Sequence, residues 1–229
     1  MIDLHSHVLP FVDDGSDSLE KSVEMLKNCQ EMGVTDLVLT PHFRGRFNKT
    51  ATELKTIFEQ FKGQTKKHGV NLNLYLGQEI YWCKEFKTNL SNGTVFGINQ
   101  GKYLLVECPY GEECDVTEIV YEVKTTGYIP VVAHVERYSY ITVDDVEEIK
   151  RMGAVVQVNA GSIVAKDNRI DRKKVKKLFK LGLVDVVASD VHAHRQNYMQ
   201  RAYEVVQKKY GKDTADAVFI HNAKKIIQG

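Results

Sequence analysis

The first residues of the chain carry its clearest chemical signal. An apolar start, Met1 to Leu4, runs directly into His5 and His7, which are separated by a single residue. In an extended strand, residues i and i+2 point to the same side, so these two imidazoles can bind one metal ion. A His-x-His pair is a weak signal by itself, and the alternative is a polar strand terminus. The pair therefore predicts a metal site only if other parts of the chain bring further ligands to it.

Further candidate ligands follow other predicted strands. The apolar pattern predicts seven strands, at about residues 1–4, 36–40, 71–76, 103–106, 129–133, 154–158 and 184–188. Six of them end in residues that can bind a metal: His5 with His7, then His42, Glu79, Glu107, His134, and Asp190 with His192. Asp13 and Asp14 follow the first strand closely enough for either to join, the alternative being a turn that caps the first helix. The sixth strand ends in Gln157 and Asn159, which are poor ligands.

Helices are predicted between these strands. Apolar residues recur at helical spacing over about residues 19–32, 51–68, 82–90, 116–126, 143–152 and 172–181, and two further helices, at about 199–210 and 213–220, close the chain. Asp17 and Glu20 resemble a capping box at the start of the first helix. Strict alternation of strands and helices favours a parallel sheet. We therefore expect a single α/β domain over residues 1–229, a closed or nearly closed seven-stranded (β/α) barrel.

The barrel places the candidate ligands on one face. Carboxyl ends of barrel strands form the active-site face, so residues distant in sequence converge there. That many imidazoles and carboxylates are costly to desolvate unless cations neutralise them. Mixed histidine and carboxylate ligands suit Zn, Mn or Fe, and their number predicts two or three ions.

Two arginines near the candidate ligands indicate the substrate. Arg137 lies three residues after His134, and Arg195 three residues after His192. Clustered cations activate a water at phosphorus, and arginine is the natural clamp for phosphate oxygens. The alternative for each arginine is an ordinary surface position. Arg44 and Arg46, just past His42, are expected to lie in a mobile basic loop, the alternative being that they reach the rim of the site.

Composition excludes several classes of protein. Lys and Arg number 31 against 30 for Asp and Glu, a formal net charge of +1, so no strong field attracts nucleic acid or anionic membrane. The sequence shows no secretory signal and no apolar run long enough to span a membrane. We therefore expect a cytoplasmic protein with no membrane insertion, and the sequence indicates no oligomeric state.

The cysteines argue against thiol chemistry. Cys29, Cys83, Cys108 and Cys114 show no CxxC pairing, so free thiols are expected. A cysteine-dependent tyrosine phosphatase needs an arginine six positions after its nucleophile. No cysteine here has one, so that mechanism is excluded.

Seven stretches in chain order resemble the polymerase and histidinol phosphatase (PHP) superfamily. They are Met1-Ile-Asp-Leu-His-Ser-His-Val-Leu-Pro10, Val12-Asp-Asp-Gly15, Leu39-Thr-Pro-His42, Gly77-Gln-Glu-Ile80, Leu105-Val-Glu107, Ala133-His-Val-Glu-Arg137 and Ala188-Ser-Asp-Val-His192. Within that superfamily the chain is similar to bacterial manganese-dependent protein tyrosine phosphatases of capsule and exopolysaccharide synthesis, the CpsB/YwqE type. Phe11 and Val135 depart from the family pattern, and the loop after His192 is shorter, with an additional imidazole at His194.

The resemblance implies a site with three metal ions. His5, His7, Glu79 and Asp190 would hold one ion, Asp14, His42 and His192 a second, and Glu79, Glu107 and His134 the third. It thereby favours Asp14 over Asp13. Mn²⁺ is the implied metal, with Fe or Zn as alternatives, and Arg137 and Arg195 would contact phosphate.

The predicted reaction is hydrolysis of phosphotyrosine on a protein, through a metal-activated hydroxide and without a phospho-enzyme. The implied partner is a membrane-associated tyrosine kinase of polysaccharide synthesis. One alternative is the same chemistry on a small molecule such as histidinol phosphate, or on a phosphodiester. A second is a regulatory module that binds metal or phosphate without catalysis, against which the complete ligand set argues.

Overall fold

The computed structural model describes residues 1–111, 113–164 and 172–229. Within these ranges the strands are β1 (Ile2–Asp3), β2 (Asp36–Leu39), β3 (His42–Phe43), β4 (Asn73–Leu76), β5 (Glu79–Tyr81), β6 (Tyr103–Glu107), β7 (Ile129–Val132), β8 (Val155–Asn159) and β9 (Val186–Ala188). The α-helices are α1 (Leu19–Glu31), α2 (Ala51–Lys67), α3 (Phe86–Ser91), α4 (Val116–Thr125), α5 (Val143–Arg151), α6 (Ala160–Ile163), α7 (Arg172–Lys180), α8 (Met199–Tyr210), α9 (Lys212–Asp216) and α10 (Asn222–Gln228). The predicted α/β class with a parallel sheet is confirmed.

The described strands pair in parallel in two sheets. The smaller has the order β1-β2-β4 and the larger β3-β5-β6-β7-β8-β9. The predicted count of seven strands is therefore not confirmed, since the larger sheet has six and the smaller three. A single strand was predicted where the structure has β2 and β3. Thr40 and Pro41 interrupt the ladder of backbone hydrogen bonds between them, and the apolar pattern does not show that interruption. It also treated Glu79 as the end of a strand, whereas β5 begins there.

Backbone hydrogen bonds draw the two sheets into a curled surface. Thr40 N–H donates to Ser6 O at 2.8 Å, and Glu79 N–H donates to Pro41 O at 3.1 Å. At the other edge, beyond β9, Asp190 N–H donates to His5 O at 2.9 Å, and Ser6 forms a parallel bridge with Val191. The chain after β9 thus returns to the chain after β1, and the strand ends converge.

Side-chain alternation separates two apolar layers. In β6, Leu105 faces an inner cluster with Ile2 and Leu4, whereas Leu104 and Val106 face the outer layer of helices. Helix α10 packs Ala223, Ile226 and Ile227 on the inner cluster. Full burial of each large aliphatic side chain contributes roughly 1.5–3 kcal/mol, so both layers hold the strand ends in place.

The remaining differences concern helix ends. Ser18, rather than Asp17, caps α1, because its side chain accepts from Lys21 N–H. The predicted last helix is divided into α9, a π-helical stretch at Ala217–His221, and α10, which extends it. Helix α6 was not predicted. All four cysteines are free thiols, as expected. Among the helices of the described ranges, none has the length and apolar character needed to cross a bilayer.

Candidate metal centre

The predicted ligands lie together at the carboxyl ends of the strands. They are His5, His7, Asp14, His42, Glu79, Glu107, His134, Asp190 and His192, and all except Asp14 are buried. Their ligand atoms form four groups with all members within 4.8 Å of one another: His7, Asp14, His42 and His192; His5, His7 and Asp190; His5, Glu79 and His134; His42, Glu79 and Glu107. Each of these residues therefore belongs to at least one group that can hold a metal ion.

His5 and His7 turn the same ring atom towards each other, with 3.1 Å between their Nε2 atoms. His5 Nδ1 lies 3.1 Å from Gln157 Oε1, which also accepts from His134 N–H. His7 Nδ1 lies 2.7 Å from an Asp13 carboxylate oxygen. Because both Nδ1 atoms face acceptors, each must donate, and in the neutral rings the two Nε2 lone pairs face one another. Either a proton on one of the two Nε2 atoms or a metal ion beside both relieves this contact, so the pair is placed to exchange a proton for a metal ion.

Glu79 is the central carboxylate of the site. Its Oε1 lies 2.9 Å from His134 Nε2 and 3.4 Å from His5 Nε2, and its Oε2 lies 3.4 Å from His7 Nε2. Glu79 Oε2 also lies 2.6 Å from His42 Nδ1, yet both atoms are buried without a hydrogen-bond partner. Buried polar atoms normally find partners. The approach of Glu79 Oε2 to His42 Nδ1 without hydrogen-bond geometry is consistent with two ligands directed at one shared ion. Imidazole and carboxylate donors together suit divalent transition metals.

Asp14, His42 and His192 form the outer part of the cluster. Asp14 Oδ1 lies 3.3 Å from His42 Nε2 and 3.5 Å from His192 Nε2. His192 Nδ1 faces the backbone oxygen of Asp190 at 3.0 Å, which leaves Nε2 to act as a ligand. Asp13 instead accepts from the backbone N–H of His42 at 3.0 Å as well as from the imidazole described above. Asp13 therefore orients ligands, while Asp14 faces the cluster.

Glu107 has a different set of neighbours from the one implied by the resemblance. It groups with His42 and Glu79, whereas His134 groups with Glu79 and His5. Arg44 approaches both Glu107 oxygens through Nη1 at 3.0 Å. Of the two predictions for Arg44, the contact supports the reach to the rim of the site, because its guanidinium lies against a predicted ligand.

Both predicted phosphate-binding arginines contact Asp190. Arg137 Nη1 lies 2.7 Å and Arg195 Nη1 2.8 Å from Asp190 Oδ2. Asn159 Nδ2 donates to the same oxygen at 2.9 Å. Asp190 Oδ2 is thus held by three donors, while Oδ1 lies 3.6 Å from His5 Nε2 and faces the histidines.

The backbone is strained at two predicted ligands. His134 has φ 34° and Asp190 has φ 51°, both in the left-handed region that residues with a side chain rarely adopt. Each lies two residues beyond the end of its strand, β7 or β9, where the reversal turns the side chain towards the cluster. Such strain concentrates at functional sites. Lys174 supports the loop after His134 by donating to Val135 O and Tyr138 O, both at 2.9 Å.

Sequence reasoning missed the residues that orient the ligands. Gln157 and Asn159 were set aside as poor ligands, yet they hold His5 and Asp190 in place. Their signal was available, because they stand at i and i+2 on a strand end and face the same side. His194 is exposed, with its ring 5.5 Å from the His192 ring.

Burial and neighbouring charge divide the imidazoles into two kinds. Burial lowers the pKa of His5 and His42, but nearby carboxylates, Glu79 first, outweigh it and raise the pKa to about 9 and about 10. Burial lowers the pKa of His134 and His192 to about 4. Without metal, protons therefore supply part of the positive charge that the cluster needs.

Fold and site together define a class: a parallel α/β protein that gathers histidines and carboxylates into a metal centre at the carboxyl ends of its strands. The chain belongs to the family described as "Capsular polysaccharide synthesis, CpsB/CapC", whose model matches residues 1–228.

The chain is similar to named members of that family. CapC of Staphylococcus aureus is 36% identical over 197 residues, covering 84% of this chain and 77% of that protein. Tyrosine-protein phosphatase CpsB of Streptococcus pneumoniae is 31% identical over 240 residues, covering 99% and 98%. A crystal structure from work on YwqE of Bacillus subtilis and CpsB of Streptococcus pneumoniae, described as unique metal-dependent tyrosine phosphatases, matches with a TM-score of 0.90. Its identity is 26%, and the match covers 100% of this chain and 94% of that one.

Proposed function

We propose that the protein is a metal-dependent protein tyrosine phosphatase. The observation that carries the proposal is the convergence of nine histidines and carboxylates, whose ligand atoms form four groups with members within 4.8 Å of one another. Eight of the nine are buried, where so many ionisable groups are costly unless cations neutralise them. The relatives named as tyrosine phosphatases supply the substrate class.

We infer a ligand set of His5, His7, Asp14, His42, Glu79, Glu107, His134, Asp190 and His192 for two or three divalent ions, with Mn²⁺ as the metal. Bound ions of this kind lower the pKa of water and neutralise charge developing at phosphorus. Glu79, within 3.4 Å of His5 and His7 and nearer still to His134, is the carboxylate placed to bridge ions.

The arginines bind the phosphoryl group. Arg137 and Arg195 approach Asp190 from the side away from its histidine neighbours. Each guanidinium uses Nη1 for this contact and carries five N–H donors in all, in the fork geometry that suits phosphate oxygens. Asp190 therefore positions both arginines beside the reacting phosphorus, and their charge neutralises the anion that develops there.

The same proposal extends to the whole chain. Residues 1–229 form one metallophosphoesterase domain, and the nine strand segments are those of an interrupted seven-stranded barrel, with β2–β3 and β4–β5 as single strands. The substrate we infer is a phosphotyrosine protein of polysaccharide synthesis, a tyrosine kinase among them. The cytoplasmic location stays a prediction from the sequence.

A substrate panel tests the reaction. Purified protein loaded with Mn²⁺ is assayed on a phosphotyrosine peptide, on histidinol phosphate and on a nucleotide diester. We expect hydrolysis of the peptide to be fastest. A peptide left intact while another substrate turns over rapidly contradicts the proposal and favours a small-molecule phosphatase.

Two variants distinguish the metal-binding role of Glu79 from the phosphate-binding role of Arg137. Glu79→Ala is expected to lose activity and metal together, because it removes the central carboxylate. Arg137→Ala is expected to lower kcat by roughly 10²–10³-fold with metal content unchanged by elemental analysis. Loss of metal from Arg137→Ala would contradict its assignment to phosphate.

A further inference from the structure

A short hairpin follows β3 at the metal centre. Arg44 and Phe47 form an antiparallel bridge with N–H···O distances of 2.7 and 2.8 Å, and Gly45 at the turn has φ 52°. The left-handed turn suits glycine, which has no Cβ to clash. The hairpin is thus a built element, which presents the residue at its tip, Arg46, in a defined direction.

The hairpin contacts the centre on its inner side. Arg44 holds both oxygens of Glu107 at 3.0 Å, and the Phe47 ring lies 6.1 Å from the His42 ring at an interplanar angle of 20°. The hairpin therefore borders the metal centre, and its outer side forms part of the surface next to it.

The outer side of the hairpin combines positive charge with apolar surface. A cavity of about 360 Å³ is lined by Arg44, Gly45, Arg46, Phe47 and Tyr81. Arg46 is exposed, and its guanidinium carbon lies 4.8 Å from the centre of the Phe47 ring. Within the described ranges, no carboxylate lies within ion-pair distance of Arg46, whose charge is held on the aromatic face instead.

Arg46 supplies the positive charge on this side of the hairpin. The neighbouring cations are paired, Arg44 with Glu107 at 3.0 Å and Lys49 with Glu53 at 4.0 Å. An exposed guanidinium beside aromatic surface favours an anionic partner.

Building on the proposed function, we propose that hairpin 44–47 and Tyr81 form a peptide subsite that favours acidic residues flanking the phosphotyrosine. The Arg46 guanidinium pairs with a substrate carboxylate, and the Phe47 and Tyr81 rings pack against the adjoining peptide. Arg44 remains turned inwards on Glu107.

Two phosphotyrosine peptides test the subsite. They are identical except that Asp and Glu flanks in one are replaced by Asn and Gln in the other. The readout is the ratio of kcat/KM values, acidic over neutral, for the Mn²⁺-loaded enzyme. We expect wild type to favour the acidic peptide and Arg46→Glu to lower the ratio by roughly tenfold, because charge reversal replaces attraction by repulsion. Arg46→Lys keeps the charge and should retain most of the preference.

Arg151→Glu is the matched control. Arg151 ends α5 just before β8, at the amino ends of the strands and away from the site, and its side chain is exposed. The same charge reversal there should leave the ratio unchanged. A wild-type ratio near one, or equal loss in Arg46→Glu and Arg151→Glu, overturns the subsite.

The assay also separates this inference from the function on which it rests. Hydrolysis of both peptides and of p-nitrophenyl phosphate with no preference overturns the subsite alone. No hydrolysis of any of the three by wild type overturns the proposed function, and the subsite with it.

Discussion

At the scale of single residues, the centre requires positive charge whether or not metal is bound. His5 and His42 carry raised pKa values of about 9 and about 10 because Glu79 and other carboxylates surround them. Burial raises the pKa of Glu107 to about 7, with the charge of Glu79 adding to the effect. Protons and metal ions therefore compete for the same nitrogen lone pairs.

This competition predicts how metal binding depends on pH. At pH 7, His5 and His42 are protonated in the metal-free protein, and each must lose its proton to become a ligand. Metal affinity should therefore rise as pH increases from about 6.5 to 8.5. As the pH approaches the raised pKa values, protons compete less strongly with the metal for the two imidazoles. His134 and His192, with pKa values of about 4, are already neutral and add nothing to this dependence.

Titration calorimetry measures the released protons directly. Mn²⁺ binding at pH 7 in two buffers of different ionisation enthalpy should show at least one proton released per protein. The number should fall as the pH approaches 9. Metal binding without proton release would mean that His5 and His42 are neutral in the free protein.

At the scale of elements, the loop after β1 presses closely on the strand end that it serves. A Cβ added to Gly15 would lie 2.0 Å from His7 O and 2.4 Å from His7 Cβ. The loop carries both Asp13, which orients His7, and Asp14, which faces His42 and His192. The close approach of Gly15 to His7 therefore fixes both Asp13, which orients a ligand, and Asp14, which is itself a predicted ligand.

Gly15→Ala is accordingly expected to disrupt the centre. The added methyl meets backbone, which cannot yield cheaply, so the loop must move and take Asp13 and Asp14 with it. We expect bound metal to fall by about one equivalent, since one of the implied ions depends on Asp14, with activity falling alongside. Elemental analysis and phosphatase assays measure the two effects.

Gly63→Ala provides the control. Gly63 lies in α2, and its added Cβ would meet no atom within 4 Å. Alanine should stabilise that helix by about 1 kcal/mol and leave metal content unchanged. If both variants keep their full metal content, the loop does not set the geometry of the centre.

Sequence predicted the elements better than the contacts between them. Eight of the nine ligands were identifiable because they follow apolar strands, and parallel strands bring their carboxyl ends to one edge. Asp14 was distinguished from Asp13 only by the family resemblance. The break between β2 and β3 was not identifiable, because hydrophobic periodicity does not report where Pro41 interrupts a ladder.

The reach of Arg44 towards the centre had a signal in its spacing of two residues from His42, which places both side chains on one side of an extended chain. Its partner Glu107 comes from β6 and is not specified by that spacing.

At the scale of the whole molecule, the ligands come from nearly every part of the sheet. His7 and Asp190 are far apart in sequence, yet they meet because the chain after β9 pairs with the chain after β1. Metal ions held by these ligands would link the two edges of the curled sheet. Because the unfolded chain does not assemble these ligands, metal binding stabilises the folded state.

Removal of metal should therefore lower the stability of the whole fold. At a free metal concentration of about 100 times Kd, one site contributes about 2.7 kcal/mol, which for a chain of this size corresponds to a Tm shift of roughly 5–10 °C. Calorimetry before and after chelation measures the shift, and restored Mn²⁺ should reverse it.

Glu79→Gln should abolish most of the shift. The central carboxylate joins the two histidines that follow β1 to His42 in β3 and His134 after β7. Glu24→Gln, which changes an exposed carboxylate on α1, should leave it intact. An unchanged Tm after complete chelation would show that backbone pairing alone closes the sheet.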